Sequence, residues 1–253
     1  EVGVSSAGFA TADSEPTIPQ VPLMRYNKKM VFDGIDDLVT MTSGVGTVSA
    51  CTVSAWVLNR DSSQDSGVYR FGGTGSTAGN FTLSKVSNGT YYLNIDDNDS
   101  TVTAHAGFVN NNTDSIQHIV CIYNGTSALK IYLNGVSQTL TASGTPPSSI
   151  PLNQNLYIGK YYSNFWEGNV DEVSAFNTAF TDAEVQELFN DGVALDATTH
   201  SKSGNLFGYW RNDGVSTWQD RRGWSYLDFD GNNDYIDCGS FSSSIFSDSY
   251  DDG

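Results

Sequence analysis

The stretch Met30–Met41, MVFDGIDDLVTM, decides the fold because the chain carries it twice. Near the other end Leu227–Cys238 reads LDFDGNNDYIDC, with its Phe-Asp-Gly corner 197 residues later (229 − 32). Each copy reads as an apolar strand, a tight Asp-Gly corner, an acidic pair or its amide variant, and a second alternating strand. Self-similarity at a fixed offset indicates tandem units, and this spacing suits a whole domain. The sequence therefore predicts one complete unit and the opening of a second.

The chain of 253 residues is strongly acidic, with 29 Asp and Glu, 12 Lys and Arg, and a net charge of −17. Such a surface repels phosphate backbones, which argues against nucleic acid as a partner. No apolar run approaches the roughly 18 residues of a membrane span, so we expect no membrane insertion. The surplus carboxylates fit either cation binding or solubility.

The three cysteines do not form a disulfide framework. Cys51 and Cys121 lie in strand-like runs and are expected in the core. Whether they pair stays open, and so does the redox compartment.

The pattern from residue 29 onward is that of short strands. Ser49–Asn59, SACTVSAWVLN, alternates apolar and polar residues with the period of a half-buried strand. One helix is predicted, because Thr181 to Glu184 forms a capping box ahead of an apolar stripe that ends at Asn190-Asp191-Gly192. Closely spaced turns without βαβ alternation predict an all-β fold, an antiparallel two-sheet sandwich with one short late helix.

The ordered set of motifs resembles the laminin G-like, concanavalin A-like lectin/glucanase family. The motifs are FDGIDD at 32–37, CTVSAWV at 51–57, IQHIVCIYNGTSALKIYLNG at 116–135, LYIG at 156–159 and FWEGNVDEVSAFNTAFTDAEVQELFN at 165–190. The resemblance implies a concanavalin A-like antiparallel β-sandwich, or jelly roll, whose first and last strands lie side by side. It also implies a non-catalytic role in adhesion or carbohydrate binding, often with a structural calcium.

We divide the chain into three parts. Residues 1–28 are an extended N-terminal arm or linker, residues 29–200 are the laminin G-like sandwich, and residues 201–253 are the opening strands of a second, incomplete laminin G-like repeat. The run GNLFGYWRND at 204–213 resembles the strand that opens such a domain. Two or three strands cannot bury enough apolar surface to stand alone. The aromatic residues of this run are therefore expected to dock on the first unit or to pack into a neighbouring copy by strand addition.

The acidic loop offers a candidate calcium site at Asp33, Asp36 and Asp37, with Asp171 as a fourth ligand if the first and last strands are neighbours. Carboxylates on a short loop beside a glycine corner are hard oxygen ligands, which Ca²⁺ accepts in flexible six-to-eightfold coordination. Crowded carboxylates also raise one another's pKa unless a cation neutralises them. The alternative is that Asp33 and Asp36 are ordinary turn residues that accept hydrogen bonds from their own backbone.

An aromatic cluster precedes the predicted last strand. Tyr161 and Tyr162 are expected to face solvent, where flat rings can stack on the apolar faces of sugars. Phe165 and Trp166 fall where the family packs aromatic residues under the sheet edge, so we expect them in the core. The sequence thus proposes Tyr161 and Tyr162 as ligand-binding residues.

Catalysis is not predicted. Retaining glucanases of this fold carry an E-x-D-x-x-E strand motif. The nearest string, EGNVDE at 167–172, separates its first Glu from its Asp by four positions instead of two. The three histidines are scattered, without a partnered Ser or Cys at recognisable spacing.

Two functional hypotheses follow. In the first, the chain is a calcium-stabilised, glycan-binding adhesion module of an exported protein, extracellular, on a cell surface or in a virion fibre. In the second it is a purely structural repeat, a spacer or assembly block whose strands exchange between neighbouring copies. The fold alone does not separate them.

Overall fold

The computed structural model describes residues 29–42, 45–61, 63–72, 79–96, 102–113, 115–152, 155–211 and 236–237. Within them the chain forms one α-helix, α1 (Asp182–Phe189), and a series of strands. The strands are β1 (Lys29–Asp33), β2 (Val39–Thr42), β3 (Thr47–Val48), β4 (Ala50–Asn59), β5 (Ser66–Gly72), β6 (Gly79–Lys85), β7 (Thr90–Asp96), β8 (Val102–Val109), β9 (Gln117–Asn124), β10 (Lys130–Leu133), β11 (Val136–Ser137), β12 (Thr141–Gly144), β13 (Ile150–Pro151), β14 (Asn155–Ile158), β15 (Lys160–Tyr161), β16 (Asn164–Phe165), β17 (Glu167–Phe176), β18 (Leu206–Trp210) and β19 (Ile236–Asp237). Short 3-10 turns at Asn190–Gly192, Ala197–Thr199 and Ser203–Asn205 connect α1 to β18.

Two antiparallel sheets form a sandwich. The eight-stranded sheet has the order β11-β10-β9-β4-β17-β1-β19, with β18 also paired to β17. The seven-stranded sheet has the order β12-β8-β7-β6-β5-β14-β2, and the pairs β13-β3 and β15-β16 stand apart. The all-β prediction, an antiparallel sandwich with one short helix, is confirmed.

The core lies between the two sheets and follows from the alternation read in the sequence. On β4, Cys51, Val53, Ala55 and Val57 join the buried cluster that both sheets share. The intervening Trp56 faces the opposite side, where it packs on Ala194 and Phe189. Because successive strand residues point to opposite faces, one ten-residue strand serves both the core and an outer layer.

Helix α1 forms that outer layer on the eight-stranded sheet. Its capping box is present: the Glu184 carboxylate accepts from the Thr181 backbone N–H at 2.7 Å, and the Thr181 hydroxyl accepts from the Glu184 N–H. Val185 and Leu188 are buried against apolar side chains of β9, β10, β17 and β18. The helix ends at Asn190, whose backbone is left-handed with φ 48°.

The first and last strands of the sandwich lie side by side, as the resemblance implied. Strand β1 pairs with the beginning of β17, from Met30 opposite Val170 to Asp33 opposite Glu167. Strand β18 pairs with the end of β17, from Val173 opposite Trp210 to Phe176 opposite Leu206. The strands β1 and β18 therefore follow one another along the same edge of β17.

Strand β18 docks on the first unit, which is one of the two arrangements expected for the 201–253 segment. Trp210 and Phe207 contact Phe71 of the other sheet, with ring centroids 6.4 and 6.0 Å apart. Leu206 and Tyr209 belong to the cluster beneath α1. Both faces of the strand are covered, so it is an integral part of the sandwich.

The assignment of residues 201–253 to a second repeat stays a prediction. Of its later residues the structure describes only Ile236–Asp237, which pair with Met30 and Lys29 of β1. The arm at residues 1–28 lies outside the described residues, as do 212–235 and 238–253.

Candidate functional site

The acidic loop connects β1 to β2. Gly34 makes the corner with φ 82°, a conformation that L-residues with side chains rarely adopt. Asp33 Oδ1 accepts a hydrogen bond from the Ile35 N–H at 2.8 Å, and Asp37 Oδ2 accepts one from the Asp33 N–H at 2.8 Å. Two of the carboxylate oxygens therefore shape the turn, as the alternative interpretation of these residues proposed.

The same loop brings three carboxylates together. Asp33, Asp36 and Asp37 each offer an oxygen, and these oxygens lie within 4.8 Å of one another. Asp36 Oδ1 is buried without a hydrogen-bond partner. Oxygens at this spacing can share one Ca²⁺, whose ligand distances are about 2.3–2.6 Å.

Asp171 does not reach this loop. The register places Glu167 opposite Asp33, and Asp171 stands four residues further along β17, roughly 13 Å away at about 3.3 Å per residue. Asp171 is buried, and its Oδ1 accepts from the Glu172 N–H at 2.8 Å. The expectation that neighbouring strands would bring Asp171 to the loop overlooked the register of the pairing.

Glu167 takes the position that was expected for Asp171. A Cβ built on Gly34 would lie 3.0 Å from Cβ and 3.6 Å from Oε2 of Glu167, so this side chain packs directly on the corner of the loop. Sequence reasoning considered Glu167 only as part of an imperfect catalytic string. The position of Glu167 beside the loop follows only from the register between β1 and β17, which pairs it with Asp33.

Tyr161 and Tyr162 stand on the β15–β16 hairpin, with their ring centroids 4.5 Å apart in an edge-to-face arrangement. Tyr162 is 41 % exposed, and the Arg70 guanidinium lies 4.4 Å from its ring centroid. One face of Tyr162 is therefore covered by Arg70. Tyr161 is half-buried, and burial together with the neighbouring Tyr162 raises its pKa.

The two other aromatic residues of the cluster, Phe165 and Trp166, differ in burial. Trp166 is fully buried in the core, as expected. Phe165 is only half-buried, with the Lys160 ammonium 4.6 Å from its ring centroid. Phe165 thus belongs to the hairpin surface more than to the core.

The acidic loop and the aromatic hairpin lie at the same end of the sandwich. A small polar depression between them is lined by Gly34, Asp61, Gln64, Ser66, Phe165 and Glu167. The hairpin sits tightly on β5, because a Cβ on Gly67 would lie 2.4 Å from the Lys160 carbonyl carbon. The loop contributes Gly34 to the depression and the hairpin contributes Phe165, whereas the predicted ligands Asp33, Asp36, Asp37, Tyr161 and Tyr162 are not among its lining residues.

The buried Lys85 contacts the backbone of two residues that line the depression. The Lys85 ammonium donates to the backbone carbonyls of Asp61 and Gln64 at 2.8 and 3.2 Å. Its side chain is buried, and burial lowers its pKa, although the charges of Asp61 and Asp65 oppose that shift. The contact holds the β4–β5 connection beside the depression.

A serine–histidine contact exists, but in the interior. His118 Nε2 lies 2.6 Å from Ser54 Oγ, and the imidazole packs against the rings of Trp56 and Phe189, which also contact each other. Burial lowers the pKa of His118 to about 3, so the ring is neutral at ordinary pH. Both residues are buried beneath α1, so this pair does not face solvent.

The cysteines of the described chain are core residues, as expected. Cys51 and Cys121 are free and buried, and burial raises the pKa of both thiols, that of Cys121 to about 12. They stand diagonally on β4 and β9, because Cys51 faces Tyr123 and Cys121 faces Val53.

Comparison with known proteins agrees with this architecture. Residues 33–186, more than half of the chain, match the family model described as the concanavalin A-like lectin/glucanases superfamily. The chain therefore belongs to the laminin G-like branch of that superfamily. No curated protein matches it significantly.

Solved structures share the fold at low sequence identity. A putative carbohydrate binding protein from Bacteroides ovatus is 17% identical with a TM-score of 0.53, covering 80% of this chain and 59% of its own. A heptameric SAP-like pentraxin from Limulus polyphemus is 13% identical with a TM-score of 0.48, covering 64% of this chain and 81% of its own. Domains LG4-5 of the mouse laminin alpha1 chain are 11% identical with a TM-score of 0.45, covering 61% of this chain and 44% of their own.

Proposed function

We propose that this chain is a non-catalytic glycan-binding module of an exported protein, with a calcium ion held by its acidic loop. The observation that carries the proposal is the polar depression at this end of the sandwich, where the Phe165 ring lies beside Asp61, Gln64 and Glu167 and next to the acidic loop. Flat rings beside carboxylate and amide oxygens form the kind of polar, ring-lined site that holds sugars. The resemblance in fold to a putative carbohydrate binding protein supports the same class of ligand.

The calcium part of the proposal rests on Asp33, Asp36 and Asp37, with Glu167 at the edge of the loop. A bound cation would offset the repulsion among the carboxylates and give the buried Asp36 Oδ1 a partner. It would also stiffen the loop against which a sugar rests. Asp171 has no part in this site.

The burial of Asp171 and Glu172 supports a non-catalytic role. Hydrolysis of a glycosidic bond needs two carboxyl groups that both reach the substrate. Asp171 and Glu172 are buried, and Glu172 accepts a hydrogen bond from the hydroxyl of Tyr209. Of the three carboxylates in the string at 167–172, only Glu167 lines the depression.

A glycan array tests the proposal. The full chain, labelled and presented to neutral, sialylated and uronic-acid glycans, is expected to bind at least one class with calcium and more weakly with chelator. Tyr162→Ala should reduce the signal, whereas Val136→Ala, a change at an exposed residue of the β11 hairpin, should not. Absence of binding to every class, with and without calcium, would contradict the proposal.

A second candidate is the purely structural repeat. It is favoured by one observation: β18 and β19, both from the predicted second copy, pair with strands of the first sandwich. Such pairing would let adjacent copies share sheets, within one chain or by strand exchange between chains. Light scattering across a hundredfold concentration range tests exchange, since strand-exchanged chains should form dimers or longer species. An exported surface protein or virion fibre would suit either candidate.

Within the described residues, no helix has the length and apolar character that crossing a membrane requires.

A further inference from the structure

The polar depression beside the acidic loop contains a buried hydroxyl group that makes no hydrogen bond. Ser66, one of its lining residues, is 4 % exposed, and within the described part of the chain its Oγ has no hydrogen-bond partner. A buried hydroxyl in this state costs free energy unless a water molecule or a ligand supplies the bond. Ser66 therefore points to a group from outside the chain that binds in the depression.

The other polar lining residues favour a positively charged donor. Asp61 and Glu167 contribute carboxylates, Gln64 contributes an amide, and none of the six lining residues is basic. Hydrogen bonds from the Ser63 hydroxyl and backbone N–H lower the pKa of Asp61, so this carboxylate is ionised at neutral pH. Hydrogen bonds between a cationic donor and carboxylates are about twice as strong as bonds between neutral groups.

The ring of Phe165 distinguishes an ammonium group from a metal ion. An ammonium is attracted to the face of an aromatic ring. The Lys160 ammonium already lies 4.6 Å from the Phe165 ring centroid, although Lys160 does not line the depression. Calcium, in contrast, takes six to eight oxygen ligands and gains none from a ring. Carboxylates beside an aromatic ring therefore suit an ammonium better than a metal ion.

The size of the depression limits how much of the ligand enters it. The space that a water-sized group can occupy there is about 10 Å³, which is about the room that one such group needs. An ammonium group is close in size to a water molecule, so only the ammonium enters and the rest of the ligand stays outside. An amino sugar has this shape, because its amine is bonded directly to the sugar ring. The ammonium of lysine, in contrast, ends a flexible four-carbon chain.

We infer that the depression binds the ammonium group of a sugar with a free amine, such as a glucosamine unit of a polysaccharide. The inference rests on the proposed glycan-binding function and names the ligand class of the same site. The carboxylates of Asp61 and Glu167 disfavour sialic and uronic acids, which are anions. N-acetylation removes the charge of the amine and enlarges the group beyond the space of the depression.

Calorimetry on the full chain tests this inference with three probes. They are the β-1,4-linked tetrasaccharide of glucosamine, the same tetrasaccharide of N-acetylglucosamine, and tetralysine with both termini blocked. The glucosamine probe should bind about tenfold or more tightly than the N-acetylated one, because only the former carries ammonium groups. Tetralysine has the same charge without sugar rings. It measures the general attraction of a chain with a net charge of −17 and should also bind about tenfold or more weakly.

Four variants locate the binding. Asp61→Asn and Glu167→Gln should each weaken binding of the glucosamine probe about fivefold or more, because each removes a charge from the lining. Asp191→Asn makes the same change of charge at an exposed position after α1 and should leave the affinity unchanged. Lys160→Met should strengthen binding about twofold, because it removes an ammonium that competes near Phe165. A misfolded variant would not gain affinity, and circular dichroism should show all four variants folded.

Three outcomes would overturn the inference. One is equal affinity for the glucosamine probe and either of the other probes. Another is failure of the glucosamine probe to bind while a glycan of the array binds, which would leave the proposed function intact. The third is displacement of the glucosamine probe by calcium in a variant that carries both Asp33→Asn and Asp37→Asn, which would show that a metal ion occupies the depression.

Discussion

The hydroxyl of Tyr209 donates a hydrogen bond to the carboxylate of Glu172, and this buried contact joins β18 to β17. Glu172 adopts a left-handed backbone, φ 51°, at the irregularity between the β1 and β18 pairings. Arg211 extends the contact, since its Nη1 lies 3.4 Å from the Tyr209 hydroxyl and 3.2 Å from Asp196 Oδ2. A buried polar network therefore fixes the strand that the predicted second copy contributes.

Removing the Tyr209 hydroxyl should destabilise the sandwich. Tyr209→Phe leaves the buried Glu172 carboxylate without that donor, which costs about 1–3 kcal/mol of unfolding free energy. Urea denaturation followed by fluorescence measures it. The double variant Tyr209→Phe, Glu172→Gln should lose less than the sum of the two single changes, because the uncompensated charge is gone. Strict additivity would show that the two side chains are not coupled.

Calcium should stabilise the wild-type chain and not its loop variants. A cation that binds only the folded state raises stability by about 2.7 kcal/mol at a hundredfold excess over its Kd. The melting temperatures with calcium and with chelator should therefore differ for the wild type. They should coincide for the loop variant, which carries both Asp33→Asn and Asp37→Asn.

In chelator the loop variant should be at least as stable as the wild type. Without a cation, the three clustered carboxylates repel one another, so the loop variant should melt no lower than the wild type. Asp191→Asn, at an exposed left-handed position after α1, is the control and should keep the calcium response. Identical wild-type melts in calcium and chelator would contradict the cation site.

His118 should make the fold sensitive to acid. Burial lowers its pKa from about 6.5 to about 3, so the unfolded chain takes up a proton at a higher pH than the folded chain does. The contribution of the neutral ring is complete above pH 6.5 and is lost as the pH falls toward 3. The slope from one such group is at most about 1.4 kcal/mol per pH unit.

Urea unfolding of the wild type and of His118→Gln between pH 7 and pH 4 isolates this effect. The glutamine keeps a hydrogen-bonding group near Ser54 and cannot titrate in that range. The stability difference between the two proteins should shrink as the pH falls. Parallel curves would show that His118 does not contribute to the acid sensitivity.

The close approach of the β15–β16 hairpin to β5 should require glycine at position 67. Gly67→Ala places a Cβ 2.4–2.5 Å from the backbone of Lys160 and Tyr161, and backbone cannot yield as a side chain can. Overpacking of this kind costs about 1–3 kcal/mol, measurable by denaturation. Gly46→Ala, with nothing within 4 Å of the added methyl group, should be close to neutral. Equal stability of the two variants would contradict the described packing.

Much of the fold could be predicted because it depends on local patterns. The alternation in Ser49–Asn59 identified the core face of β4, and the Thr181 capping box identified the start of α1. The Asp-Gly corner at Asp33–Gly34 marked the turn and its three carboxylates. Each of these features is decided by residues within one turn or one strand, so the sequence carries them directly.

The candidate site could be predicted only in part. Asp33, Asp36 and Asp37 are neighbours in the chain and are neighbours in space. Asp171 was expected beside them, but the structure places Glu167 there, because the register between strands more than 130 residues apart decides which carboxylate faces the loop.

By itself, then, the sequence determined the strand and helix types, the sandwich class and the composition of the acidic loop. Only the tertiary structure decided that Arg70 lies over the ring of Tyr162, that β18 completes the sheet beside β1, and that Glu167 packs on the corner of the acidic loop. Local patterns depend on residues close in the chain, whereas these relationships depend on registers between distant strands. A shift of one residue in a register would turn every side chain of a strand to the opposite face.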